Sequence, residues 1–252
     1  MTPKTRRSVS ERGSIGRRGP EEPLSRDRIV SAALALVDEK GLPALTMRRL
    51  AGALGVDPMA IYYYLPNRAA LEDAIVEAVN VDMYAEDLSF DFSLPLYDFV
   101  VAAGRFYRTA LLRHPHAIYL MVVRAAPTPT ASRPGDDMVG RLIERGLTPA
   151  ESVAAVDVFS TFVTASVLRQ VQLPVGPEGD PHLQLRKMRE ALDAGEFPNL
   201  ARAIAEGHLL DFDAEFEFGL QAMARGFAEV AAKRAASEDR VDRHSSSRGQ
   251  RE

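Results

Sequence analysis

Three times near the start of the chain, a helix-capping residue follows an apolar residue whose partner in a hydrophobic staple lies five positions on. The pairs are Leu24-Ser25 with Ile29, Leu45-Thr46 with Leu50, and Val56-Asp57 with Ile61. A cap satisfies backbone amides that a helix cannot bond for itself, and the staple fixes the angle of entry, so each pair marks a helix start. The first helix places Ile29, Ala32, Ala33, Leu36 and Val37 on one face and is stopped by Lys40-Gly41. The second, about 47 to 54, must end at Gly55. The third begins with Pro58, harmless where amides are unpaired anyway, and runs to about Tyr64 before Pro66. Two short helices joined by the tight Gly55-Val56-Asp57 turn have the spacing of a helix-turn-helix, whose second helix enters the DNA major groove. The small Ala51 lets the two helices approach closely.

Within this unit Leu50, Leu54, Val56 and Ile61 point to the shared core, which leaves Arg48, Pro58, Met59, Ala60, Tyr62, Tyr63 and Tyr64 for the outer face. Such a face has little acidity, hydroxyl tips for phosphates and apolar atoms for thymine methyls. The plainer alternative is a three-helix packing unit that carries its tyrosines at the surface without using them. Charge is asymmetric: the 252-residue chain carries −4, yet residues 1–70 carry +5 and the remainder −9. A basic front and an acidic back place any polyanionic partner at the front.

Beyond this unit, periodic segments repeat at helical spacing and none alternates convincingly at period two, so the chain reads as all-α. Helix four is expected from about Arg68 to Glu86. Further helices are expected over 95–113, 117–124, 135–145, 149–171, 182–192, 200–206 and 211–235, separated by Pro/Gly breaks. Residues 1–23 read as a disordered basic arm, with Lys4, Arg6, Arg7, Arg12, Arg17 and Arg18 against Glu11, Glu21 and Glu22. The arm either follows DNA or is a solvated tail. Residues 237–252 read as a disordered polar tail. The absence of cysteine excludes disulfides, thiolate zinc sites and cysteine nucleophiles, and fits a cytoplasmic location. The longest stretch free of ionisable residues, Val158 to Leu168, falls short of the ~18 residues of a membrane span, so no membrane partner is expected. Pro20-Glu21-Glu22-Pro23 interrupts any export signal behind the basic N-terminus.

The stretch LTMRRLAGALGVDPMAIYYYLPNRAALEDAIVEAV (Leu45 to Val79) resembles the N-terminal DNA-binding domain of the TetR family of one-component regulators. Its capping Thr, Gly-Val turn, aromatic end of the third helix and following Asn-Arg carry the likeness, which spans about residues 24–79. Farther on, FPNLARAIAEG and FEFGLQAMARGF (Phe197 to Gly207, Phe216 to Phe227) resemble the C-terminal domain of the branch containing the tetracycline repressor. The resemblance implies an N-terminal helix-turn-helix domain over 24–70, joined by helix four to a larger effector-binding and dimerisation domain over 71–236. It implies as partners a double-stranded DNA operator, a small-molecule effector and a second copy of the chain, with no cofactor. Position by position, it makes Thr46 and Tyr62 phosphate contacts and Arg48 a base contact. It makes Pro58, Met59, Ala60 and Tyr63 groove readers, while Tyr64 and Arg68 grip the backbone at the far end. A cation at the start of helix four opposes the helix dipole, so a phosphate partner would explain Arg68.

Two helices of the larger domain stand out. The segment 149–171 is apolar nearly all round and rich in small residues, which suits burial on several sides. The last helix carries Phe212, Phe216, Leu220, Met223, Phe227 and Val230 at alternating four- and three-residue steps. Both helices meeting their symmetry mates would form the four-helix dimer interface that the resemblance implies, with Val156, Phe159, Val163, Phe216, Leu220, Met223 and Phe227 in it. The alternative is that both serve the monomer core. Tyr84, Phe106, Tyr119, Phe159 and Phe162, with Arg124 as a polar candidate, are expected around the effector, against the readings of plain core and, for Arg105 and Arg124, of surface ion pairing. Leu173 to Pro181 is a lid or a connector. Where the tetracycline repressor holds its drug and magnesium with histidines, Tyr84 and Tyr119-Leu120-Met121 stand here, which speaks against magnesium-tetracycline and for a largely apolar inducer. His114-Pro-His116 has no third metal ligand set by sequence, and Asp211, Asp213, Glu215 and Glu217 read as the acidic start of a helix. With no phosphate loop or nucleophile elbow, neither a catalytic nor a metal site is expected.

Overall fold

A computed structural model describes residues 23–85, 91, 93–124, 128–172, 187, 190, 196–206 and 211–248. Among them every regular element is helical: α1 (Arg26–Lys40), a 3-10 turn (Leu42–Ala44), α2 (Met47–Leu54), α3 (Pro58–Tyr64), α4 (Arg68–Ala85) and α5 (Leu96–Arg113). Then come α6 (Ile118–Val123), α7 (Pro129–Ile143), α8 (Pro149–Gln172), α9 (Pro198–Ala205) and α10 (Phe212–Arg248).

The three expected caps form. Ser25 accepts from the Arg28 amide, Thr46 from that of Arg49 and Asp57 from that of Met59. Gly41 and Gly55 end α1 and α2 with φ of 77° and 70°, a left-handed region that costs a side-chain-bearing residue a Cβ clash. At Gly55 the reversal lets the Val56 amide donate to the Ala51 carbonyl at 3.1 Å and turns the chain directly into α3. Ile29, Ala33, Val37, Leu45, Leu50, Ala51 and Ile61 close the core of this head, and Leu71 and Ile75 of α4 seal its open side.

In the rest of the chain α5 lies against α8 and α10, while α7 packs on α4 and α8. Two glycines set the close approach. At Gly104 of α5 a Cβ would collide with the Leu220 side chain of α10, and at Gly219 of α10 it would meet the Phe162 ring of α8 at 2.5 Å. The 216–220–223–227 seam is thereby claimed by the chain's own α5 and α8: Phe216 and Leu220 are buried, and Met223 and Phe227 are partly buried against the core.

Three expectations require correction. Helix α7 starts at Pro129 and not near Gly135, because a proline fits a first turn, and Pro134 in the second turn is carried at the loss of one ladder bond. Helix α10 continues to Arg248, through most of the expected disordered tail. No Gly or Pro lies between Gly226 and Gly249, and a helix already nucleated gains a bond for each residue it adds. Helix α8 is, by length and composition alone, long and apolar enough over Pro149–Val171 to cross a membrane, since its few charges do not cancel the flanking Val and Phe. Its buried residues, Ser152, Ala155, Phe159, Val163 and Val167, lie at three- and four-residue steps on one side, so the expected burial on several sides is not met within this chain. The N-terminal arm, the helix expected over 182–192 and the segment Leu173 to Pro181 lie outside the described residues, Lys187 and Glu190 excepted.

Candidate nucleic-acid interface

Helix α3 buries Ile61 and turns its other side outward: Met59 is 72% and Tyr63 86% exposed, with Tyr62 beside them and Pro58 and Ala60 half-buried at their base. Arg48 on α2 is exposed, with no ion pair or hydrogen bond among the described residues. Thr46 uses its oxygen as an acceptor for the Arg49 amide, which leaves its O–H free to donate outward. The outcome is a convex strip bearing one guanidinium, three hydroxyls and the apolar atoms of Pro58, Met59 and Ala60. Its only carboxylate, Asp57, is turned to the Met59 amide at 2.8 Å.

Tyr64 and Arg68 have partners inside the head. The Tyr64 hydroxyl donates to the Leu24 carbonyl at 2.8 Å, fastening the entry of α1 to the end of α3. Arg68 Nη1 donates to the Leu45 carbonyl at 2.6 Å and its Nε to Glu72 Oε1 at 2.7 Å. The head thus supplies both residues with partners. The charge at the start of α4 meets Glu72 one turn on, while the Arg68 side chain stays 48% exposed.

The residues expected around an effector do not share one environment. Phe159 is buried and stacks near-parallel on Tyr107, ring centroids 6.3 Å apart; burial raises the pKa of the Tyr107 hydroxyl, offset in part by the Thr164 hydroxyl 3.3 Å away. Phe162 stacks on Phe216 with centroids 5.6 Å apart. The pair walls a cleft of about 410 Å³ together with Ala165, Arg169, Phe212 and Glu215. Phe106 is half-buried on α5, Tyr119 stands exposed, and the side chain of Tyr84 is outside the described residues. Arg105 and Arg124 follow the ion-pairing alternative. Arg105 donates twice to Glu217 at 2.7 Å, which holds that carboxyl below its ordinary range, and Arg124 pairs with Asp73 at 2.7 Å.

The dimer expectation divides as well. Phe159, Val163, Phe216 and Leu220 are buried within one chain, Val156, Met223 and Phe227 are half-buried against the same core, and the exposed apolar surface lies on the opposite sides of the same helices. Helix α8 exposes Val153, Ala154, Val158, Thr161 and Ala165, and α10 exposes Phe218 (79%), Ala222 and Arg225. The signal for this second face was the all-round apolarity of α8, and Phe218 was missed because it stands off the seam. His114 faces Asp38 of α1 through Nδ1 (2.8 Å) and Asp82 of α4 through Nε2 (3.2 Å). It therefore ties three helices, and no group of three metal-ligating side chains occurs among the described residues.

A capped helix-turn-helix with an exposed, nearly acid-free reading helix, set on a helical body, defines a one-component DNA-binding regulator. Residues 29–75 match the profile of bacterial regulatory proteins of the tetR family, and residues 70–231 that of the tetracyclin repressor-like C-terminal domain. The HTH-type transcriptional repressor DrrR1 of Streptomyces coeruleorubidus is 26% identical over 226 residues, 86% of this chain and 82% of that protein. A tetracycline repressor of class A from Escherichia coli is 30% identical over 154 residues, 58% and 67% of the two chains. Among solved structures, a TetR-family regulator of Streptomyces coelicolor A3(2) superposes with TM-score 0.71 at 31% identity, covering 82% of this chain and all of that one. ActR of Streptomyces coelicolor, solved with actinorhodin, gives 0.69 at 29% identity over 83% and 99%. The chain belongs to the TetR family of transcriptional regulators. Residues 29–75 thus form its N-terminal DNA-binding domain, and residues 70–231 its C-terminal domain of the tetracyclin repressor-like type.

Proposed function

We propose that two copies of this chain bind a palindromic operator in the cytoplasm and that a small molecule held in the larger domain releases them. The exposed strip on α3 carries this reading: a soluble helix has little reason to leave Met59 and Tyr63 in water unless another surface covers them. Arg48, Pro58, Met59, Ala60 and Tyr63 are assigned to base edges and Thr46 and Tyr62 to phosphates, whereas Tyr64 and Arg68 are assigned to holding the head together. Loss of Arg48, if it is bidentate to guanine, should cost about 1–3 kcal/mol and relax specificity at that base pair. ActR binds actinorhodin, and an effector of this chain is taken to be similarly organic and largely apolar, not magnesium-tetracycline. No catalytic step is assigned.

The second copy is supported by the outward faces of α8 and α10. An apolar helix buried along one side only, together with a phenylalanine on α10 that is 79% exposed, fits an interface that one protomer leaves open. Sedimentation of the wild type should give a dimer and that of Phe218→Asp a shift toward monomer; a monomeric wild type refutes the pairing. For the operator, fluorescence anisotropy on the intergenic duplex beside the gene should show affinity about a thousandfold or more above that for a scrambled duplex, falling steeply with salt. Unchanged discrimination in Tyr63→Ala refutes the assignment of α3.

A further inference from the structure

Contacts in series run from the end of α6 to the loop that begins the reading helices. Arg124, the residue that closes α6, reaches across to α4. Its Nε donates to Asp73 Oδ1 at 2.7 Å, its Nη2 to the Ala69 carbonyl at 3.2 Å, and its Nη1 lies 3.5 Å from Glu72 Oε2. The other oxygen of Glu72 accepts Arg68 Nε, and Arg68 Nη1 donates to the carbonyl of Leu45. The next residue, Thr46, caps α2. Glu72 is the middle of the chain of contacts, one largely buried carboxylate held between two guanidinium groups from different parts of the protein.

We propose that Arg124 and Glu72 are positioning residues for the DNA-reading head, acting through Arg68. A carboxylate shared by two guanidiniums has its rotamer fixed from both sides, and so fixes Arg68 in the one that reaches the Leu45 carbonyl. That carbonyl directly precedes the α2 cap, so the relay sets the direction in which α2 and α3 leave α4. Hydrophobic packing holds the same elements together independently: Leu71, Ala74 and Ile75 of α4 lie in one core with Ile29, Val37 and Leu45. Partly exposed ion pairs contribute little stability, so losing the relay should loosen the head's orientation without unfolding it. A head free to wander must be ordered on binding, which weakens affinity for DNA. Arg124 belongs to no helix of the head and is not among the residues assigned to DNA.

The inference rests on the operator reading above, and the test separates the two. The full-length wild type is used to recover a duplex from a random-sequence pool, and that duplex is titrated by anisotropy at fixed salt with wild type, Arg124→Gln, Arg68→Gln and the double variant. Arg124→Gln is expected to weaken binding about three- to tenfold with an unchanged melting temperature, and to have no further effect in the Arg68→Gln background. Wild-type affinity in Arg124→Gln, or the same fold-loss in both backgrounds, overturns the relay while leaving the operator reading intact. Failure of the wild type to enrich any duplex overturns the operator reading and the relay with it.

Discussion

Gly104 and Leu220 form the tightest notch between α5 and α10, and its energetics can be worked from the geometry. Replacing a helical glycine by alanine ordinarily stabilises by about 1 kcal/mol, because the unfolded chain loses freedom. Here the new Cβ would enter the space of both Leu220 δ-methyls, and Leu220 is fully buried, so the side chain has no outward escape. Overpacking of this kind costs about 1–3 kcal/mol, enough to cancel or reverse the helix gain. Leu220→Ala alone should cost about 3 kcal/mol through lost burial and the cavity it leaves. In that variant the collision is gone, so Gly104→Ala should stabilise by about 1 kcal/mol or more as its methyl partly fills the void. Urea unfolding followed by far-UV circular dichroism, on all four proteins at one concentration because self-association adds to apparent stability, reads the sign directly. If Gly104→Ala stabilises the wild type as much as it stabilises Leu220→Ala, the notch is not what spaces α5 from α10.

Gly55→Ala places a Cβ in a left-handed conformation at φ 70° and should destabilise the head by about 1 kcal/mol, visible as a lowered melting temperature; Gly52→Ala, in open space on the same helix, should not. Arg105 depresses the Glu217 carboxyl through its paired hydrogen bonds. The associated stability is therefore complete above the ordinary glutamate value and disappears as pH falls through the lowered one. Glu217→Gln should cost under about 1 kcal/mol near neutral pH, given the solvent exposure of both partners, and nothing in acid. An equal loss at both ends of the pH range would assign the effect to packing instead.

The head was legible in the sequence because its signals are local. Ser25, Thr46 and Asp57 bond amides two or three residues away, and Gly41 and Gly55 act on their own backbone. The intrachain partners of Tyr64 and Arg68 were not legible for the opposite reason: they are the carbonyls of Leu24 and Leu45, 40 and 23 residues away, and no spacing rule points to a particular carbonyl. Periodicity showed that α10 has an apolar stripe but not what the stripe meets. That is decided by Gly104 on another helix, whose missing side chain gives Leu220 its seat. The tail was misread because lack of an apolar face was taken as lack of a helix, whereas residues beyond Ala236 extend one begun and packed upstream.

Helix α4 is also a lever with a calculable gain. Its 18 residues span ~27 Å, so a tilt of about 5° at the end near Ala85 displaces the Arg68 end by about 2 Å. Because Arg68 is bonded to the Leu45 carbonyl, the reading helices travel with it. In the proposed symmetric pair both heads would move, changing their separation by up to ~4–5 Å, while successive base pairs along one strand are ~3.4 Å apart. On that proposal, a rotation smaller than the scatter of many helix crossing angles would put one half-site a base pair out of phase with the other.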